Sequence, residues 1–306
     1  MNDNLNFKII GSGPTGMLLA IALSRLNSNI YLTDLLSKEK LINKDKTYAI
    51  THSTRKILSK FNLWNKLYSY LYEFNSLSIS DSVISNYTIL TSSDLDDDIS
   101  SLNTIGWVIK HSDLMNVLFN EIENIDNIFF NSSLNISYDG INFDYKFIST
   151  GSNINKKKNH NFIVFKKNYN HSCLTFEVLV RGNKHNQAYE IFRKEGPLAL
   201  LPLDANRYQI IWTDSTSKSI DRLNSSKSYL LDNLSTLVPE CFKLDQITSQ
   251  INIFPVSLSL SLPFINLRKA VFVGDAFHTF HPVGGQGLNT CWRDVNVIYD
   301  ILNKDL

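Results

Sequence analysis

Two glycine clusters near the two ends of this 306-residue chain carry the residue types best suited to chemistry. In the later one, Gly274-Asp275 follows a short apolar strand pattern, Ala270 to Val273. The chain then runs through His278, His281 and Pro282 into Gly284-Gly285-Gln286-Gly287, and a helical pattern follows Asn289. Glycines just before a helix free backbone N–H groups to point at an anion, and the helix dipole adds to the attraction. Asp275, at a strand end, is placed to accept hydrogen bonds from sugar-like hydroxyls. Pro282 holds the backbone in one shape against a flat ring. Together these parts suit a polar cofactor with a ring and a hydroxylated chain. The earlier cluster is Gly11-Ser12-Gly13-Pro14-Thr15-Gly16, and Asp34 follows Gly11 by 23 residues. Here Gly11 makes a tight turn, Gly13 lets a pyrophosphate approach the backbone, and Gly16 lets helix and strand pack closely. Asp34 stands where an acid binding ribose hydroxyls belongs.

The elements that must position these residues are legible around them. Phe7 to Ile10 reads as a buried strand, Met17 to Leu26 as an apolar helix and Asn29 to Thr33 as a second strand, the Rossmann βαβ layout. Leu77 to Ser80 and Tyr87 to Leu90 are short strands, and the acidic stretch Ser92 to Ser101 is a solvated loop. An amphipathic helix covers Asp113 to Ile122. Phe143 to Thr150 is an apolar strand ending before Gly151. Phe162 to Lys166, Ser172 to Arg181 and Gln187 to Arg193 have strand character. Pro197, Ala199, Leu201 and Pro202 lie in an apolar strip, Gly196 to Leu203, whose two prolines and glycine suit a bent wall. Tyr208 to Trp212 is its hairpin partner, followed by a helix at Ser228 to Leu237 and a strand at Ile251 to Leu260. Pro255 and Phe264 are candidates to face an apolar ring.

Composition narrows the classes. A hydrophobic content of 43% and a net charge of +1 describe a globular chain and give no reason to expect nucleic acid as a partner. Cys173, Cys241 and Cys291 lie far apart without metal spacing, so no metal site is expected and the thiols read as reduced in a cytoplasmic protein. No signal peptide precedes the first strand, and no apolar run is long enough to span a bilayer.

The later cluster closely resembles the second FAD motif of the group A flavoprotein monooxygenases, GDAxHxxxPxxGQGxN. Every fixed position is filled, by Gly274, Asp275, Ala276, His278, Pro282, Gly285, Gln286, Gly287 and Asn289. Arg293-Asp294-Val295 resembles the ubiquinone-biosynthesis hydroxylase branch, as does the Gly196-Pro197-Leu198-Ala199 strip. The early motif alone does not choose NAD over FAD; the resemblance chooses FAD. It implies an α/β fold: a Rossmann-like FAD-binding domain, three-layered with a parallel sheet, and an inserted antiparallel-sheet substrate domain. The divisions are residues 1–75 (FAD-binding, first part), 76–104 (substrate-domain strands), 105–160 (FAD-binding, second part), 161–265 (antiparallel substrate domain) and 266–306 (FAD-binding, third part, ending short of helices that relatives carry).

The resemblance also implies a reaction. NADPH or NADH reduces FAD, O₂ adds to it as a C4a-hydroperoxide, and an aromatic ring is hydroxylated, with a lipid-soluble polyprenyl phenol of quinone biosynthesis as substrate. The cofactor carries the hard chemistry. Cofactor contacts fall to Gly11, Gly13, Pro14, Thr15, Gly16, Asp34, Lys110, Gly274, Asp275, Pro282, Gly285, Gln286, Gly287, Leu288 and Asn289. Catalytic roles fall to Pro282 and His278, and substrate contacts to Pro197, Ala199, Leu201 and Pro202. Association with a membrane surface and with other quinone-biosynthesis proteins would follow from such a substrate. Three positions depart from the family. Thr150-Gly151-Ser152 lacks the aspartate associated with FAD and NADPH handling, Cys291 replaces a glycine, and Tyr48 stands where a basic residue approaches the flavin, with Lys46, His52 and Arg55 nearby. Lys156 to Lys158 form a basic run read as a solvated loop, and His111 shares the position after the strand with Lys110. These departures leave two other readings open: an FAD-binding subunit that does not hydroxylate, or an isoprenoid reductase or cyclase.

Overall fold

The computed structural model describes residues 4–95, 102–132, 138, 140–152, 163–181, 186–262, 270–281 and 283–305. Pro282, Phe264 and Lys156 to Lys158 lie outside them. The strand Leu5–Ile10 is flanked by two parallel neighbours, Ser28–Thr33 on one side and Tyr145–Ile148 on the other. Ile128–Asn131 and Ala270–Phe272 complete a five-stranded parallel sheet. Consecutive strands thus diverge at Leu5–Ile10, and in an open α/β sheet ligands bind at the carboxyl ends of the strands where the order reverses. The glycine cluster begins at that end, with Gly11, and Ser149-Thr150 follow the neighbouring strand.

The helix Pro14–Leu23 is apolar nearly all round, and its residues from Gly16 to Leu23 are all buried. Such a helix needs cover on every side. It receives it from the sheet residues Phe7, Ile9, Ile30 and Leu32 and from the helices His111–Glu123 and Gln286–Asp305, whose Leu114, Leu118, Trp292 and Val295 share its core. Alternation sends Tyr31 to the opposite face, where it meets Phe129, Tyr138 and Phe143.

A second sheet of nine strands runs His278–Thr279, Asn252–Leu262, Ile163–Arg181, Arg207–Ser215, Leu198–Pro202, Gln187–Phe192, Ser76–Asp81, Asn86–Thr91 along its path, with Lys243–Ile247 paired to Ile163–Arg181. Its hydrophobic face packs Leu174, Phe176, Leu198, Leu200, Tyr208, Ile210 and Trp212 under Leu230 and Leu234 of the helix Lys227–Ser235. The two strands expected at 162–166 and 172–181 are one 19-residue strand, Ile163–Arg181. Its register shifts between Asn168 and His171, and Asn170 takes a φ of 55° there, so a bulge bends the strand without ending it. One pair is parallel, Gln187–Phe192 with Ser76–Asp81, because the chain crosses to the other domain and back between these strands. Among the described residues the sheet ends on Asn86–Thr91, an edge whose Tyr87 and Ile89 are exposed beside Val83 and Ile84. A three-stranded antiparallel sheet, Thr47–Ile50, Gly106–Lys110 and Tyr72–Phe74, stands between the two larger ones. Its Phe74, Val108 and Ala49 meet Ala188, Leu201 and Ile211 of the nine-stranded sheet. Short helices at Lys38–Ile42 and Thr216–Leu223 were not evident from sequence periodicity. No helix among the described residues is long and apolar enough to cross a membrane.

A methyl group on Gly16 would lie 1.9 Å from the Gly11 carbonyl oxygen, whereas one on Gly13 would meet nothing within 4 Å. Gly16→Ala is therefore expected to lower stability by roughly 1–3 kcal/mol, the usual cost of overpacking. Gly13→Ala is expected to fold as the parent does. Urea unfolding followed by far-ultraviolet circular dichroism measures both.

Candidate functional site

The early loop is held from three directions. Gly11 has a φ of +107°, and a methyl group there would sit 2.5 Å from the Ser149 carbonyl oxygen. Its N–H donates to Thr33 O at 2.7 Å, and its carbonyl accepts from Ser149 Oγ at 2.7 Å. Asp34 clasps the loop: Oδ2 accepts the Ser12 N–H at 2.7 Å and Oδ1 that of Leu36 at 3.0 Å. Each carboxylate oxygen keeps a further lone pair for a hydroxyl donor. Two buried hydroxyls here, Ser12 Oγ and Thr150 Oγ1, find no partner among the described residues. Buried polar groups without partners are uncommon in folded chains. The open space at Gly13, these hydroxyls and Asp34 together form a cradle that fits a dinucleotide's phosphates and ribose.

The later cluster is packed directly against the earlier one. Gly274 (φ +62°) faces Thr15 and Cys291 so closely that a methyl group would lie 2.9 Å from Thr15 Cγ2 and 3.1 Å from Cys291 Sγ. Trp292 Nε1 donates to Pro14 O at 3.2 Å across 278 residues of sequence. Asp275 is exposed, and its Oδ1 accepts the Cys291 thiol at 3.4 Å. Burial, and then the nearby Asp275 charge, raise the Cys291 pKa well above the usual thiol range, so the thiol stays protonated. Gly284 and Gly285 are both left-handed, at φ +64° and +61°. A side chain on Gly285 would strike Ala49 Cβ at 2.9 Å, while Gly287 faces open space. The N-terminal end of the 20-residue helix Gln286–Asp305 opens onto that space.

Several residues expected to contact the cofactor or act in catalysis also have side chains engaged within the protein. Asn289 is fully buried. Its Nδ2 donates to Ala49 O and Gly285 O, and its Oδ1 accepts from Thr51 N, Thr51 Oγ1 and Thr54 Oγ1. With both donors and the acceptor used inside the protein, this amide ties the last helix to the strand Thr47–Ile50. Lys110 Nζ is paired with Glu177 Oε1 at 2.6 Å, which draws it to the nine-stranded sheet. His278 is buried, and its Nε2 meets Asp294 Oδ2 at 2.8 Å; the same oxygen accepts the Gly274 N–H at 3.0 Å. His278 thus positions the Gly274 turn. Pro202 shares a strand face with Leu198 and Leu200, which lie in the core beneath the helix, so alternation points it away from Ala199 and Leu201. Pro197, Ala199 and Leu201 occupy the opposite face. His52 Nε2–H donates to Thr104 O at 2.8 Å and the ring packs on Trp107, so it is a buried core histidine. Tyr48 OH donates to His111 Nδ1 at 2.8 Å, while His111 Nε2 meets Leu41 O at 2.7 Å. Burial holds His111 down to a pKa of about 4, so it is neutral at physiological pH.

One residue escaped the sequence reading. Glu190 sits on the Ala199–Leu201 face of the nine-stranded sheet, opposite Ala199 in register, and is buried. The Gly284 backbone lies near its carboxyl and favours the charged form. Burial pushes its pKa up to about 7, with the Gly284 backbone opposing the shift. No motif marked it; an acid inside the apolar pattern Ala188 to Phe192 was the available signal. Among the described residues no cluster of His, Cys, Asp or Glu is placed to hold a metal ion.

A parallel sheet with a glycine loop at its switch point, a second glycine turn packed on it and a large antiparallel sheet above them define the fold of the FAD-dependent aromatic monooxygenases. PqsL from Pseudomonas aeruginosa, a probable FAD-dependent monooxygenase, superposes with a TM-score of 0.77 over 98% of this chain and 86% of its own at 13% identity. A second structure of PqsL is a complex with 2-aminobenzoylacetate. In sequence, the chain is similar to ubiquinone-biosynthesis hydroxylases. It is 21% identical to ubiquinone biosynthesis monooxygenase COQ6 of Dictyostelium discoideum, over 99% of this chain and 77% of that protein. It is 30% identical to 3-demethoxyubiquinol 3-hydroxylase of Escherichia coli over 44% of this chain and 34% of that one. No family model matches the chain.

Glu190 gives the site a pH dependence. Its carboxyl ionises near 4.5 in an unstructured chain and near 7 when folded. Below about pH 4.5 it is neutral in both states. As pH rises through this window the unfolded chain releases the proton first, so folding loses stability, on the order of 3 kcal/mol by pH 8. Glu190→Gln is expected to remove that loss and to gain stability over the parent between pH 5 and pH 8. Urea midpoints at the two pH values decide it; an unchanged gap would contradict the assignment.

Proposed function

We propose that this chain is an FAD-dependent monooxygenase that hydroxylates an aromatic ring, with NADPH or NADH as reductant, O₂ as co-substrate and a lipid-soluble phenol of quinone biosynthesis as substrate. The observation that carries the reading is the packing of Gly274 on Thr15 and Cys291, which makes one site of two motifs far apart in sequence. FAD, when bound, supplies hydride acceptance and oxygen activation; the chain's own residues bind, orient and exclude water. The backbone at Gly13, with the Ser12 and Thr150 hydroxyls, holds the pyrophosphate side. Asp34 accepts from ribose hydroxyls and Asp275 from those of the ribityl chain. The N–H groups at Gln286 and Gly287, with the dipole of the helix they begin, stabilise negative charge on the ring system. Pro282 is assigned a place beside the ring by the motif alone. Pro197 and Ala199 are assigned the aromatic substrate by the resemblance of their strip, while Leu201, Ala188 and Ile211 behind them pack on Ala49, Phe74 and Val108 of the three-stranded sheet. Glu190, near half-ionised at neutral pH, is placed at Gly284 to hold or release a proton. Contact with other quinone-biosynthesis proteins and with a membrane surface belongs to the same reading.

A non-hydroxylating flavoprotein is the second reading, favoured by one observation: Thr150-Gly151-Ser152 takes the place of the family's acidic motif, and Thr150 Oγ1 has no partner among the described residues.

The purified protein is expected to show a flavin spectrum, or to acquire one with FAD, and to bleach on anaerobic addition of NADPH or NADH. A bound flavin that does not bleach favours the second reading, and a protein that takes up no FAD refutes both. Asp34→Ala removes charge-assisted hydrogen bonds worth about 1.5–3 kcal/mol. It is therefore expected to weaken FAD binding roughly ten- to a hundredfold, read by fluorescence titration.

A further inference from the structure

Behind the Pro197–Leu201 wall, on the helical side of the nine-stranded sheet, lies a cleft of about 170 Å³ that the flavin reading leaves unused. Arg193, Trp212, Lys218 and Arg222 line it together with the acids Glu195 and Asp214. The Arg222 guanidinium lies 4.2 Å from the Trp212 ring centre, and its Nη1 pairs with Asp214 Oδ2 at 2.7 Å. The other Asp214 oxygen accepts the Ser215 N–H. Asp214 is thus already engaged, which leaves Arg193 and Lys218 facing a single further acid, Glu195.

Two donors on residues that line the cleft have no partner among the described residues. Trp212 is 1% exposed, yet its Nε1–H has no partner, and neither does the buried Nε–H of Arg193. Arg193 is held in place regardless, because its Nη2 donates to Thr213 O at 2.9 Å. A fixed guanidinium with an unused N–H, a neighbouring indole N–H and a further cation at the rim are complementary to an acceptor that carries negative charge and several oxygens. Guanidinium groups match phosphate and carboxylate oxygens in geometry as well as charge.

We propose that this cleft binds a small oxyanion, a phosphate or carboxylate group, on Arg193 and Trp212, with Lys218 and Arg222 supplying positive charge. Thr213, whose carbonyl Arg193 holds, donates its own N–H to Pro197 O at 2.9 Å. An occupant therefore braces the first residue of the substrate wall from behind. The proposed site is separate from the glycine loops, since its residues lie on the strand Arg207–Ser215, the turn between Phe192 and Leu198 and the helix Thr216–Leu223.

The test titrates the full chain, with FAD in excess, with sodium phosphate and separately with sodium acetate, against sodium chloride at equal ionic strength. Calorimetry and tryptophan fluorescence follow the binding. A saturable response to either oxyanion beyond that to chloride is expected, and the stronger of the two identifies the ligand's chemistry. Lys218 and Glu195 are both exposed, so their substitution spares the fold. Lys218→Gln should weaken binding about two- to fivefold and Glu195→Gln should tighten it by a similar factor, as exposed charges do. Trp212→Phe keeps the ring and removes the donor, and should weaken binding with the circular dichroism unchanged. A response no different from chloride, or one that Lys218→Gln and Glu195→Gln leave unmoved, overturns the proposal.

Discussion

The space above the Cα of Gly16 is already filled by the Gly11 carbonyl, and most of the site depends on that contact. It lets the helix Pro14–Leu23 start directly on the loop instead of standing off it by the width of a side chain. The helix is apolar on all sides and must be enclosed, so the last helix of the chain is drawn onto it, with Trp292 bonded to Pro14. That approach brings Gly274 against Thr15, where again only a missing side chain permits the distance. Three glycines thus convert two local sequence patterns into one concave surface. The cost is a set of left-handed backbones, which glycine adopts without the penalty other residues carry.

Above this surface, the nine-stranded sheet divides its labour by alternation. Odd-numbered residues of Leu198–Pro202 face the small three-stranded sheet, and even-numbered ones face the helices. The same strands therefore build an apolar wall on one side and a hydrophobic core on the other. Glu190 is on the wall side, where its charge is disfavoured by burial, and it lies near the Gly284 backbone, where the sheet meets the glycine turn. His278 and Asn289 do similar work below. Asn289 bonds Ala49, Gly285, Thr51 and Thr54, and His278 Nε2 meets the Asp294 carboxylate that also accepts the Gly274 N–H.

Where a local rule governs a segment, the sequence was informative. The first strand–helix–strand unit and the second glycine turn follow from spacing, because a tight turn and a close approach each demand glycine at a fixed place. The helix His111–Glu123, expected at 113–122, followed from periodicity, and the wall strand from its apolar, proline-bearing strip and the family resemblance. What could not be read was set by distant contacts. The single strand Ile163–Arg181 looks like two because its bulge interrupts the alternation, and only its cross-strand partners reveal continuity. Lys110, His278 and Asn289 match a pattern associated with a cofactor, but sequence does not say that Glu177, Asp294 and Ala49 will reach them first. Pro202 was placed by its strip and not by its parity. Glu190 carried no motif, since its character comes from desolvation, which depends on what lies across from it.

The outer edge of the nine-stranded sheet has a consequence of another kind. Asn86–Thr91 is its last strand among the described residues and displays Tyr87 and Ile89, beside a turn carrying Val83 and Ile84. Edges of this kind are templates for strand addition unless charge or proline blunts them. The strand contains neither, and with a net charge of +1 the molecule has almost no long-range repulsion to keep copies apart. Colloidal behaviour in concentrated solution is therefore governed at this rim, far from the flavin loops, and a lysine on the outward face of the strand is the economical way to change it.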